Sequence, residues 1–136
     1  MIVSAPMSLE QQLIGVIQGP IGSEVRKHPY GINNADPHDM YSAKGQAAIE
    51  AVTKAYRNSG ATIGVTATHR LTSFRISGSK NDADWDPEDT NNNTLRLSST
   101  LEGYNVAAVR IARSTYGTDI PIGASIAPIT DTLRRR

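Results

Sequence analysis

Between Ser42 and His69 the hydrophobic period changes once, and that change constrains the fold more than any other feature. In SAKGQAAIEAVTKAYRNSG, Ala48, Val52, Ala55 and Tyr56 share one face with Ile49 beside them. This is the spacing of an amphipathic helix, and Asn58-Ser59-Gly60 supplies its stop. Directly after it, ATIGVTATH alternates strictly, Ala61, Ile63, Val65 and Ala67 against Thr62, Gly64, Thr66 and Thr68, and the threonines favour extended backbone. A helix followed at once by a half-buried strand calls for a layered fold in which helices cover a sheet.

The remaining segments fill in that scheme. MSLEQQLIGVIQ has Ser8 with Gln11 three residues on, a capping-box pattern, and Leu9, Leu13, Val16 and Ile17 as an apolar stripe. It predicts a first helix that stops at Gly19-Pro20. LTSFRIS, from Leu71, predicts a strand antiparallel to the one before it, and TLRLS a short strand with Leu95 and Leu97 inward. Ser99 and Glu102 form a second capping box and open a third helix, with Leu101, Tyr104, Ala108, Ile111, Ala112 and Thr115 buried and Gly117 as its end. DIPIGASIAPI sets Ile120, Ile122, Ala124 and Ile126 at period two, and Pro121 and Pro128 make it an edge strand. The expected fold class is α+β, a small mixed or antiparallel sheet of about four strands with two or three helices packed on one face.

At 136 residues the chain fits a single domain, 1–136, that buries a core without disulfides or metals. Apolar residues are 38% and there is one tryptophan with five tyrosines and one phenylalanine, so the core is small and aliphatic. The lack of cysteine excludes a disulfide framework, a thiolate zinc site and a cysteine nucleophile. No stretch reaches the ~18 apolar residues of a membrane span, and the N-terminus lacks the basic start and apolar run of a secretion signal. A soluble protein, cytoplasmic at synthesis and without a membrane partner, is expected. Net charge is +1, with an acidic excess in 61–93 and a basic excess in 94–136, so no bulk field points to nucleic acid.

Three segments carry candidate sites. Residues 79–93 form an acidic loop in which Asp82, Asp84 and Asp86 have the spacing of the first three ligands of a calcium loop, with Ca or Mg as the cation they would take. Pro87 stands where that motif needs glycine and Asn93 where it needs a bidentate glutamate. A solvated hairpin loop is the competing reading, because like charges repel and asparagine runs favour turns. Trp85, in the midst of these acids, would bury its ring against a partner or its own domain. The basic tail, 129–136, ends in Arg134, Arg135 and Arg136, able to neutralise about three phosphates and so to bind nucleic acid weakly. Tyr104, Arg110, Arg113 and Tyr116, with Arg96, offer a basic and aromatic helix face, yet the arginines point outward as ordinary solubilising charges.

Histidine chemistry gives an enzymatic alternative. His38, Asp39 and His69, with carboxylates of the 82–86 loop, would assemble a metal-dependent hydrolase with an open position for water. No spacing enforces that geometry: His38 fits a capped turn and His69 the solvated end of a strand. No GXSXG pattern exposes a serine, and the glycines of GPIGSE neither follow a predicted strand nor lead to a P-loop lysine.

Residues 19–41, GPIGSEVRKHPYGINNADPHDMY, show neither period and read as an irregular arm or loop. An arm so poor in apolar residues needs a neighbour to offset its ordering entropy. The leading expectation is therefore a non-enzymatic structural or assembly subunit whose partners are copies of itself. In its Gly- and Pro-rich arm, scarce aromatics, lack of cysteine and polar second half the chain resembles small assembly subunits of phage particles, which implies a virion component. No sequence motif carries that resemblance. A binding module presenting Trp85 and the acidic loop to a basic partner is a further alternative.

Overall fold

The computed structural model describes residues 8–12, 14–27, 29–33, 36–69, 71 and 90–126. Among them run α1 (Leu9–Gln12), α2 (Ile21–Val25), α3 (Pro37–Tyr41), α4 (Ala43–Asn58), β1 (Gly64–Val65), α5 (Thr90–Tyr116) and β2 (Ile122–Gly123). The fold is mostly helical, and its sheet is two short parallel strands, which corrects the expected mixed or antiparallel sheet of about four. Parallel neighbours require a crossover, and α5 lies on it.

Each departure has a local cause. Only the Ser8 and Gln11 capping box of the first helix forms, Ser8 N–H donating to Gln11 Oε1 at 2.9 Å and Gln11 N–H to Ser8 Oγ at 3.2 Å. After Gln12 the helix ends, because Ile14, Val16 and Ile17 are β-branched and interrupted by Gly15. Residues 16–18 instead run extended and parallel to 62–65, with Ile17 bridged to Ile63. TLRLS belongs to α5: two leucines two apart are too short a pattern to fix a period, and no proline or glycine separates Thr90 from the strong helical stretch after Ser99. The strand expected over LTSFRIS lies outside the described residues beyond Leu71.

The backbone bonds give the order across the sheet. Ile63 N–H donates to Val16 O, whereas Gly64 and Thr66 N–H donate to Pro121 and Gly123 O at 2.9 Å. Successive N–H groups of a strand point to opposite edges, so 16–18 and 121–123 flank the central 62–66 on either side. All three segments run the same way, in chain order.

The long helices form as their sequences require. Ser42 caps α4, its Oγ accepting from Gly45 N–H at 3.1 Å, and Gly60 and Gly117 close α4 and the α5 end at φ +109° and +74°. Ala48, Ile49 and Val52 of α4 meet Ala107, Ala108 and Ile111 of α5 in one core. Residues 19–41 join that core: Ile21, Val25, Ile32, Met40 and Tyr41 are all buried. Burying Val25 of α2 and Met40 of α3 is worth about 1.5–3 kcal/mol each, enough to dock helices of five residues that are unstable alone. The segment read as an irregular arm thus carries two short helices packed on its own domain, and the entropy argument for a neighbour loses its force there.

Candidate functional site

A cavity of about 350 Å³ opens where the three parallel segments end. From each segment, the lining includes residues beyond the last paired position: Gly19 and Pro20 after Gln18, Ala67 and His69 after β1, Ser125 after β2. Pro37, Met40 and Tyr41 of α3 form a wall, and Ile21 and Leu71 add to it. In proteins built on parallel strands, ligand sites lie at the carboxyl ends of the strands, the end at which this cavity opens.

Hydrogen bonds fix this rim. Tyr41 Oη donates to Ala67 O at 2.6 Å, and burial raises the Tyr41 phenol above its usual pKa, so the hydroxyl keeps its proton at neutral pH. Thr68 Oγ1 donates to Ser125 O at 2.8 Å, which uses its one proton, so at the 2.8 Å contact between Thr66 and Thr68 the donor is Thr66. The loop after β1 is thereby tied to the chain after β2. Arg113 Nη1 donates to Gly117 O and Ile120 O at 3.1 and 3.0 Å, fixing the turn that delivers β2.

Below the rim, Gln18 extends the ladder with its side chain. Its Nε2 donates to Val65 O at 3.1 Å and its Oε1 accepts from Val65 N–H at 3.4 Å, as a peptide unit of a neighbouring strand would. Tyr116 Oη donates to the same Oε1 at 2.8 Å. The close seat of Tyr116 requires glycine at position 64, where a Cβ would stand 2.7 Å from the ring.

Behind the α3 wall lies an aromatic group. Tyr104 of α5 stacks on Tyr41 with ring centroids 4.9 Å apart and planes at 18°, and its hydroxyl lies 2.5 Å from His38 Nδ1. His38 meets the Tyr104 ring edge-on, and its Nε2 is buried without a hydrogen-bond partner. Asp36 caps α3 by accepting from His38 N–H at 2.9 Å.

The residues singled out from sequence fare differently. His38 is engaged with Tyr104, while His69 is exposed on the cavity rim. Among the described residues no three His, Asp or Glu side chains come together as a metal site. Asp82, Asp84, Trp85 and Asp86, and Arg134, Arg135 and Arg136, lie outside the described residues. Among the described residues no helix is long and apolar enough to cross a membrane. The glycines of GPIGSE do follow an extended segment and lead into α2, contrary to expectation. Reading the β-branched run IGVI before Gly19-Pro20 as a strand and turn would have found both Gln18 and the crevice. Comparison with protein-family models, with curated proteins and with solved structures finds no match.

Proposed function

We propose that this domain binds a small, largely apolar, uncharged molecule in the crevice at the carboxyl ends of its parallel segments. The position of the cavity carries the reading: all three segments contribute their ends to it, and its size falls within the range of small-molecule sites. Among the described residues its lining has no carboxylate, lysine or arginine, so these residues select by shape, through Met40, Val65 and Leu71, and through hydroxyls such as those of Ser23 and Thr66. A metal-dependent hydrolase built on His38, Asp39 and His69 draws less support, since His38 is turned to Tyr104.

The test is a fragment panel of indole, p-cresol and cyclohexanol followed by NMR. Binding at sub-millimolar to millimolar Kd is expected, with shifts in the Met40, Val65, Ala67 and Leu71 methyls. Ala67→Phe, which fills the space, is expected to abolish those shifts while unfolding remains cooperative. If every fragment leaves these methyls unmoved, or if Ala67→Phe binds as before, the crevice is not a ligand site.

A second reading, an assembly subunit that pairs with copies of itself, is favoured by the edge segment before Gly19. Ile14, Val16 and Ile17 are 81%, 60% and 65% exposed, and the bonding pattern turns the Ile17 N–H and C=O away from β1. Edge pairing between two copies would cover them, and a particle subunit is one form such assembly takes. Light scattering across a hundredfold concentration range is expected to show a dimer or larger species for the native chain and a monomer for Ile17→Lys. A native chain that stays monomeric throughout removes this reading.

A further inference from the structure

Helix α3 supplies three residues of the crevice wall, yet at five residues it cannot hold its own orientation. His38 and Tyr41 stand three apart on it and so share a face. Between them they grip one side chain of α5: Tyr41 stacks on the ring of Tyr104 and His38 reaches its hydroxyl. Tyr41 in turn holds the loop after β1 through the bond to Ala67 O. Tyr104 is not among the residues lining the cavity.

We propose that Tyr104 is the positioning residue of the crevice: gripped between His38 and Tyr41, it sets where the α3 wall stands against the loop after β1. The inference rests on the ligand-binding reading for its functional consequence, and on the α3–α5 geometry alone for its structural one. Removing the ring frees Tyr41 to tilt and the wall to retreat, so a ligand loses contact with a surface that the substitution does not touch. Removing only the hydroxyl keeps the stack and loses the His38 contact.

The experiment compares the full chain with Tyr104→Ala, Tyr104→Leu and Tyr104→Phe, using indole as the probe and carbon-13 NMR of the labelled Tyr41 phenol as a readout independent of any ligand. In Tyr104→Ala, indole affinity is expected to fall at least tenfold, and the Tyr41 phenol to ionise closer to the ordinary tyrosine value of about 10 as water reaches it. Tyr104→Phe is expected to stay within about threefold of the native affinity and to leave Tyr41 near its native titration. Should Tyr104→Ala fail to fold, Tyr104→Leu, which keeps bulk without the stack, takes its place with the same expectations. Unchanged Tyr41 titration in the ring-deleted variant overturns the proposal, as does native indole affinity. If the native chain does not take up indole, the ligand-binding reading falls for that probe, and the Tyr41 titration alone decides whether Tyr104 positions the wall.

Discussion

Replacing Gln18 with leucine is expected to lower the unfolding free energy by about 3 kcal/mol or more, although the two side chains have similar volume. Gln18 is 5% exposed, and its amide satisfies the hydroxyl of Tyr116, itself 2% exposed, together with the part-buried carbonyl of Val65. Leucine would leave Tyr116 Oη without its acceptor and the Val65 carbonyl without its donor. Each such orphaned group costs about 1–3 kcal/mol, while the 3.4 Å contact from Val65 N–H adds little. Tyr116→Phe removes one bond and, from Tyr116, the group that would otherwise be stranded, so it is expected to cost only about 1 kcal/mol. Urea denaturation of the three proteins, read at constant slope, checks both values. A Gln18→Leu loss below about 1 kcal/mol would mean that the amide does not act as a rung of the ladder. Because Val65 also lines the crevice, the same variant is expected to weaken fragment binding.

Gln18 also shows where the sequence was legible and where it was not. Period and caps located α4, the buried face of α5 from Ala108 to Thr115, and the extended run after Gly60, because each depends on neighbours within a few positions. The stripe of Leu9, Leu13, Val16 and Ile17 misled, since its spacing is that of a helix face, yet Val16 and Ile17 lie exposed on an extended segment. β-branching and Gly15 decide between helix and extended chain, and they do so only once a parallel partner at Thr62 and Ile63 exists. Strand direction was illegible for the same reason: it follows from where α5 returns the chain, not from alternation. Residues 19–41 have few apolar side chains, but Ile21, Val25, Met40 and Tyr41 fall on the inward face of two short helices, and burial rather than number settles their order. The crevice escaped because its walls come from four separate stretches and none of them carries a motif.

Gly45→Ala and Gly103→Ala are the same substitution in two helices and are expected to shift stability in opposite directions. Alanine is the better helix former by about 1 kcal/mol, so propensity alone favours both changes. At Gly103, on the exposed face of α5, nothing lies within 4 Å of a new Cβ, and a gain of up to about 1 kcal/mol is expected. At Gly45 the new Cβ would overlap the main-chain carbonyls of Asp39 and Met40, where α3 turns into α4. A flexible side-chain tip would swing aside at little cost, but these are backbone atoms of a helix whose Met40 and Tyr41 are buried. Relieving the overlap must move α3 as a body, and overpacking of that kind costs about 1–3 kcal/mol, more where buried contacts are lost as well. The steric cost outweighs the propensity gain, and a net loss of about 2 kcal/mol is expected. Since α3 is the crevice wall, fragment binding should weaken in Gly45→Ala and stay native in Gly103→Ala. If Gly45→Ala instead stabilises the protein as Gly103→Ala does, α3 is free to move, and neither its seat on α4 nor the width of the crevice is fixed by that close approach.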